Sequence, residues 1–178
     1  IVHRIREVFS KVFNDSPENL EMNQVYDVAH NIAKVEKYNG KELVVHRKGA
    51  TRAFGPGNEE LPPIFRKTGQ PVIIGGSMET GSYLLVGTKK AEDTTFSSTA
   101  HGSGRTMSRI KAKKQVRGEK LLLVMERKGI YVRSTSMSGL AEEAGFAYKQ
   151  IDDVIDSVNK AGISKPVVKL VPLGNIKG

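Results

Sequence analysis

The sequence predicts a mixed α+β fold. Helix-like and strand-like apolar spacings alternate irregularly along the chain, which argues against a doubly wound parallel sheet. A length of 178 residues suits one core with at most an appended lobe. The composition, 38% hydrophobic and 26% charged, excludes fibrous and disordered chains. The longest apolar run, Leu121 to Met125, is far shorter than the ~20 residues that span a membrane.

The first part of the chain predicts one helix followed by a hairpin. Residues 1–13 place apolar side chains at the 3.6-residue spacing of an amphipathic helix, namely Ile1, Ile5, Val8, Phe9 and Val12. Residues 25–45 read as strands, and Asn39-Gly40 between two apolar runs is a strong hairpin signal. The turn-rich loop over residues 49–63 is long enough to suggest function.

The remainder predicts short strands and helices in turn. Pro71–Ile74 and Tyr83–Val86 read as buried strands joined by a polar, flexible stretch. Helices are expected at about 105–116, 119–128, 138–144 and 151–161. Further strands are expected at 130–132 and 167–171, before a short tail.

Positive charge is concentrated in one segment. Residues 1–100 carry 13 basic and 12 acidic groups, whereas residues 101–134 carry ten basic groups against Glu119 and Glu126, a net of +8 of the chain's +9. Clustered cations attract phosphates, so an anionic partner such as a nucleic acid is one interpretation. A solvated helix face in a basic protein is the other. Aromatic residues make up only 6%, so a base-stacking platform is not the obvious mode of binding.

The most informative stretch runs from Ser97 to Arg105. Gly102 and Gly104 would let the backbone approach a ligand, and a helix starting near Arg105 would point its N–H groups at a phosphate. His101 beside them could act as a general acid or base, a metal ligand, or a nucleophile that attacks phosphorus. A turn histidine that caps the next helix is the alternative.

Three further motifs are weaker. His30, followed by Asn31 near a strand end, could bind a metal, but no second histidine has suitable spacing and a structural role is favoured. The cation-rich turn over residues 46–52 either holds a phosphate or is a solvated hairpin end. The loop over residues 75–78 by itself reads as a plain turn.

In combination these motifs resemble the C-terminal part of the RtcB family, the GTP-dependent RNA-splicing ligases. The resemblance covers essentially all 178 residues in order. It rests on the motifs His46–Arg52, Gly69–Val72, Gly76–Met78, Ser98–Arg105 and the terminal Lys177-Gly178. It implies the irregular α/β architecture of that family, with residues 1–178 as its C-terminal portion.

The resemblance also implies an activity. Such enzymes join a 2′,3′-cyclic phosphate or 3′-phosphate RNA end to a 5′-hydroxyl, using GTP and two manganese ions per complete site. A histidine carries GMP as a phosphoramidate, and the motif position makes His101 that nucleophile. The implied substrates are tRNA exon halves, with an archease-type activator as a further partner. A cytoplasmic, monomeric enzyme that makes no membrane contact is implied for the complete protein.

The resemblance assigns the other site residues by motif position. His30 is implied as a manganese ligand, and Lys48 and Arg109 as contacts to RNA phosphates. The implied nucleotide-binding set is His30, Asn31, Gly75, Gly76, Ser77, Met78, Ser82, His101, Gly102, Ser103, Gly104, Tyr148 and Lys177.

Two departures and one gap qualify the resemblance. Gly75 stands where the family frequently has proline, and Ser103 stands where it has alanine. The other metal ligands of the family, among them a cysteine, have no counterpart here, since the chain has no cysteine and begins with isoleucine. We therefore expect a fragment that is inactive alone. The alternative function is a non-catalytic basic module that binds nucleotide or RNA.

Overall fold

The computed structural model describes residues 1–177 and confirms the mixed α+β class. The helices are α1 Val2–Phe13, α2 Lys89–Thr95, α3 Arg109–Gln115, α4 Gly118–Arg127, α5 Met137–Glu142 and α6 Ile151–Ala161. The strands are β1 Asn31–Tyr38, β2 Lys41–Lys48, β3 Ala50–Arg52, β4 Pro71–Gly75, β5 Ser82–Gly87, β6 Ser98–Ala100, β7 Tyr131–Ser134, β8 Ser164–Leu170 and β9 Gly174–Lys177. They form four small sheets, with orders β1-β2, β3-β6, β4-β5-β8 and β7-β9.

The main core lies between the three-stranded sheet and α6. Both neighbouring pairs in this sheet are antiparallel. Val72, Ile74 and Leu85 on the strands pack with Ile151 and Ile155 of the helix, all of them buried. Alternate strand positions thus face the helix, which is the period of two expected of a half-buried strand. This packing fixes the loop between β4 and β5, where part of the candidate site lies.

A second core joins the C-terminal helices to that same loop. Met78 of the loop packs with Leu121 and Met125 of α4, Val132 of β7 and Leu140 of α5. The parallel pairing of β7 with β9 then brings the C-terminal strand alongside. The main core therefore holds the strands that flank the β4–β5 loop, and the second core holds the loop itself through Met78.

The hairpin β1–β2 is closed by the predicted Asn39-Gly40 turn. Both turn residues have positive φ, 51° and 77°, the geometry that matches the twist of paired strands. Inside the hairpin, Arg47 donates two hydrogen bonds of 2.7 Å to the carboxylate of Glu36, and both side chains are almost fully buried. Arg47 also donates to the carbonyl of Phe96, so this ion pair ties the hairpin to the body of the protein.

Several boundaries differ from the sequence-based predictions. The first strand starts at Asn31 and not at residue 25, because residues 25–30 have no partner strand among the described residues. The loop over residues 49–63 contains β3, which pairs with the unpredicted β6. Helix α2 and strand β9 were also missed, since both are short and polar and depend on tertiary pairing.

Helix α1 confirms the prediction over residues 1–13, yet no residue of it is buried. Its apolar side chains remain largely exposed, among them Ile5, Val8, Phe9 and Val12. A search of residues 1–177 finds no helix with the length and apolar character needed to cross a membrane.

Candidate functional site

The fold brings together two histidines that are far apart in sequence. The rings of His30 and His101 are stacked, with centroids 4.0 Å apart and planes inclined by 13°. Gly49 joins the two backbones, because its N–H donates to the carbonyl of His30 and its carbonyl accepts from the N–H of His101. The hairpin end and the strand β6 thereby set the position of both imidazoles.

The surroundings of His101 favour its neutral ring. Burial, and in second place the charge of the neighbouring His30, lowers the pKa of His101. A neutral imidazole keeps a nitrogen lone pair, which both a nucleophile and a general base need. His30 is exposed at the lip of the site, so a ligand can approach the pair from that side.

The glycine-rich loop after His101 is bonded to the end of β4. Gly75 donates its N–H to the carbonyl of His101 and accepts at its carbonyl from the N–H of Ser103, at 3.2 and 2.7 Å. Gly102 forms an isolated parallel bridge with Gly75. The hydroxyl of Ser103 is buried and has no hydrogen-bond partner within residues 1–177. The predicted nucleophile loop and the predicted nucleotide loop are therefore one backbone unit.

The expected helix start near Arg105 is wrong. Gly104 has φ of 76°, which turns the backbone away from a helix, and Arg105 forms an antiparallel bridge with Tyr148. Helix α3 begins only at Arg109, where the side chain of Ser108 caps it by accepting from the N–H of Lys111. The α3 terminus therefore does not begin at the glycine-rich loop, and a ligand there would meet loop amides.

Five of the predicted nucleotide-binding residues line one cleft of about 330 Å³. They are Gly76, Ser77, Met78, Ser82 and Lys177. The loop is closed tightly, because the Ser77 hydroxyl accepts from the N–H groups of Glu79 and Thr80. The Met78 side chain lies in the second core, so only its backbone is available to a ligand, and the Asn175 amide already donates to its carbonyl.

We predict that Gly76→Ala destabilises this loop. A Cβ at Gly76 would lie 2.5 Å from the Gly81 carbonyl oxygen and 2.6 Å from the Thr80 hydroxyl, where no real Cβ fits. The hydrogen bond from Gly76 to Gly81 would break, with an expected loss of about 1–3 kcal/mol in unfolding free energy. Denaturant unfolding measures this. Gly75→Ala is the matched control, because its Cβ meets nothing within 4 Å, and an equal loss in both variants would contradict the prediction.

Tyr148 and Lys177, both assigned to the nucleotide by resemblance, meet at one carboxylate. The Tyr148 hydroxyl donates to Glu143 at 2.6 Å, and Lys177 Nζ lies 3.5 Å from the same oxygen. Arg105 donates to the Tyr148 hydroxyl at 2.9 Å and stacks over its ring. Burial and the hydrogen bond to Glu143 raise the pKa of Tyr148, so it remains a neutral donor. Gly178 lies outside the described residues.

The predicted phosphate-binding cations occupy two places. Lys48 is exposed, pairs across the hairpin with Asn31 and precedes Gly49, so it lies at the histidine end of β2. Arg109 starts α3 and forms an ion pair with Glu142 at 3.6 Å. Of the three cations in the turn over residues 46–52, Arg47 is unavailable to a phosphate, because it forms a buried ion pair with Glu36.

Some of the cations in residues 101–134, the segment with a net charge of +8, are paired with carboxylates in the folded chain. Arg105, Arg109, Lys113 and Lys128 have acidic partners, two of which lie in α5 or directly after it. The remaining cations of the segment form no ion pair within residues 1–177, and these are Lys111, Lys114, Arg117, Lys120, Arg127 and Arg133.

The described residues fit the implied manganese only in part. His30 offers one exposed imidazole, but residues 1–177 contain no group of three or more His, Cys, Asp or Glu side chains able to hold a metal. Stable sites need more ligands than one. His30 is therefore a candidate for a single ligand of a site that other residues would have to complete.

Sequence reasoning missed two parts of the site. Glu143 received no role, although the Tyr148 hydroxyl donates to its carboxylate and Lys177 pairs with it. Asn175 was not identified as the residue that links β9 to the carbonyl of Met78. The contacts of Glu143 to Lys177 and of Asn175 to Met78 join residues far apart in sequence. The five-residue spacing of Glu143 and Tyr148 is not one of the contact spacings of a helix.

The whole chain, residues 1–178, matches the profile of the family described as tRNA-splicing ligase RtcB. It is 59% identical over 182 residues to tRNA-splicing ligase RtcB of Archaeoglobus fulgidus, covering all of this chain and 38% of that protein. The protein of the same name from Pyrococcus abyssi is 52% identical, with 20% of its length covered. RNA-splicing ligase RtcB homolog 2 of Entamoeba dispar is 49% identical, with 35% covered.

These matches identify the class of protein, an α+β chain from a family of RNA-splicing ligases. The chain belongs to the RtcB family. It spans between 20% and 38% of the length of the relatives named here.

Proposed function

We propose that this chain is the part of an RNA ligase that carries the guanylylated histidine. The complete enzyme would join 2′,3′-cyclic phosphate or 3′-phosphate ends to 5′-hydroxyl ends in tRNA splicing and RNA repair. One observation carries the proposal: His101, at the end of β6, is stacked on His30 and bonded through Gly75 to the loop that lines the cleft.

Several residues of this chain contribute to the proposed guanylylation and ligation steps. A ring nitrogen of His101 attacks the α-phosphorus of GTP, the bond to the β-phosphate oxygen breaks, pyrophosphate leaves, and the ring loses its proton. The amides of Gly102 and Gly104 would donate to phosphate oxygens, whereas the amide of Ser103 is bonded to the Gly75 carbonyl. Water first opens a 2′,3′-cyclic end by breaking its bond to the 2′-oxygen, which leaves a 3′-phosphate. An oxygen of this phosphate displaces GMP from His101, and the 5′-hydroxyl then attacks the RNA phosphorus and releases GMP. Bound manganese would withdraw charge from the phosphates, and His30 is its candidate ligand here.

The remaining residues supply binding. The cleft beside Gly76, Ser77 and Lys177 would take the nucleoside, with Tyr148 next to Lys177 on Glu143. Lys48, close to the histidine pair, would contact an RNA phosphate, and Arg109 would do so from α3. tRNA exon halves are the proposed substrates, with an archease-type activator as a partner of a monomeric, cytoplasmic enzyme.

Covalent labelling tests the proposal. We expect the full-length protein, incubated with α-labelled GTP and manganese, to acquire an acid-labile label that maps to the peptide containing His101. The label should chase onto an RNA 3′-phosphate and disappear when a 5′-hydroxyl RNA is added. A protein that acquires no label under these conditions would contradict the ligase function.

A second candidate is a basic module that binds nucleotide or RNA without catalysis. It is favoured by the six cations of residues 101–134 that form no ion pair within residues 1–177. Such a module would bind RNA without manganese, with an affinity that falls steeply as salt rises. Filter binding over a salt series, with and without manganese, measures this. RNA binding without covalent labelling would favour the module over the ligase.

A further inference from the structure

One carboxylate, directly after α5, is contacted by Tyr148, five residues further along the chain, and by the more distant Arg105 and Lys177. Glu143 Oε2 accepts from the Tyr148 hydroxyl at 2.6 Å and lies 3.5 Å from Lys177 Nζ, while Oε1 lies 3.5 Å from Arg105 Nη1. These donors come from the stretch before α6, from the end of β9 and from the glycine-rich loop. The Glu143 side chain is only 22% exposed, so the cluster is partly shielded from water.

The carboxylate fixes which groups remain free for a ligand. The Tyr148 hydroxyl donates its proton to Glu143 and accepts from Arg105, so this proton is already engaged and is not free for a ligand. Lys177 has three N–H donors and no acceptor, and only one of them can point at Glu143. The others can meet a carbonyl oxygen but not an amino group, which is the difference between guanine and adenine at C6.

The cluster is continuous with the cleft. Lys177 belongs to both, since it lines the cleft beside Gly76 and Ser77 and pairs with Glu143. Asn175, two residues earlier on β9, donates to the carbonyl of Met78 and so fixes the strand against the loop. A shift of Glu143 would therefore move a cleft-lining ammonium group relative to a fixed backbone.

We propose that Glu143 is a positioning residue that sets the base selectivity of the nucleotide site by holding Lys177 and Tyr148. This role rests on the proposed function, because it assumes that the cleft takes the nucleotide. Glu143 acts through the two side chains and does not touch the base, since it contacts Tyr148, Lys177 and Arg105 but does not line the cleft.

Nucleotide competition tests the selectivity. In the full-length protein, Glu143→Gln should reduce the preference for GTP over ATP in covalent labelling about tenfold, the scale of one hydrogen bond to a charged group. Glu143→Asp keeps the charge and should restore part of the preference. Glu142→Gln is the matched control, because Glu142 is the neighbouring residue and its carboxylate pairs with Lys113. This variant removes the same charge and should keep the preference for GTP over ATP.

Titration of Tyr148 provides a readout that needs no nucleotide. The tyrosinate absorbance of each protein, after subtraction of its Tyr148→Phe counterpart, isolates this group. Glu143→Gln should lower the pKa of Tyr148, since it removes the negative charge that contributes to raising it. An unchanged titration, an unchanged GTP preference in labelled Glu143→Gln protein, or an equal loss in Glu142→Gln would overturn the role of Glu143. Absence of labelling in the unmodified protein would instead overturn the proposed function.

Discussion

Replacing His101 with alanine is expected to abolish covalent labelling by GTP. The alanine side chain has no nucleophilic nitrogen, so no phosphoramidate can form at this position. The neighbouring imidazole of His30 cannot substitute without movement, because it is stacked on the His101 ring with the centroids 4.0 Å apart, so its nitrogens lie at different positions. Radiolabel retained by the full-length variant after gel separation measures the effect.

Two comparisons make this result specific. His3→Ala removes an exposed histidine from α1, outside the site, and should leave labelling at the level of the unmodified protein. Thermal unfolding of His101→Ala should show that the protein remains folded, since His101 is only partly buried. Label that persists in folded His101→Ala protein would place the nucleophile elsewhere.

Glu36→Gln is expected to lower the unfolding free energy by about 3–5 kcal/mol. The substitution leaves the guanidinium of Arg47 buried with no counter-charge, and a buried unpaired charge is costly. Burial by itself would raise the pKa of Glu36, but hydrogen bonds from Arg47 and Tyr38 outweigh it, so this pKa lies below its ordinary value. Denaturant unfolding at neutral pH measures the loss.

Two further variants test whether the unpaired charge of Arg47, and not the removal of a carboxylate as such, lowers the unfolding free energy. Glu42→Gln on the same hairpin removes an exposed carboxylate and should change stability by less than about 0.5 kcal/mol. Glu36→Leu with Arg47→Met removes both charges and should cost much less than Glu36→Gln. If the double variant were as unstable as Glu36→Gln, packing and not the unpaired charge would be responsible.

The ion pair also gives a defined dependence on pH. A carboxyl group with a lowered folded pKa stabilises the protein fully above its ordinary pKa, about 4.3, and the contribution is lost as the pH falls through the folded value. Acid unfolding of Glu36→Gln should therefore be less steep below this point than acid unfolding of the unmodified protein.

Local signals in the sequence predicted the elements that local chemistry determines. The Asn39-Gly40 turn, the α1 periodicity and the stop of α6 at Gly162 all follow from residues adjacent in sequence, and the structure confirms them. The residues alone indicated His101 and, more weakly, His30 as separate candidates, the resemblance assigned both to the nucleotide site, and the structure stacks their rings. Their contact depends on Gly49, which no periodicity reveals.

Features that depend on tertiary pairing escaped prediction. The start of α3 at Arg109 follows from the bridge of Arg105 to Tyr148, 43 residues away. The burial of Arg47 follows from a partner on the opposite strand, which turned an apparent surface cation into a structural one. Such contacts are made between elements, so a linear pattern of charge or hydropathy does not contain them.

The double attachment of Gly75 has a consequence for protein engineering. Its N–H donates to the carbonyl of His101 and its carbonyl accepts from the N–H of Ser103, on the two sides of Gly102. The glycine-rich segment and the β4–β5 loop must therefore be transferred together to keep their geometry. Transplanting the histidine segment alone onto another scaffold would transfer its residues without their geometry. A chimera between family members would need to exchange both segments from the same parent, together with the sheet that carries Gly75.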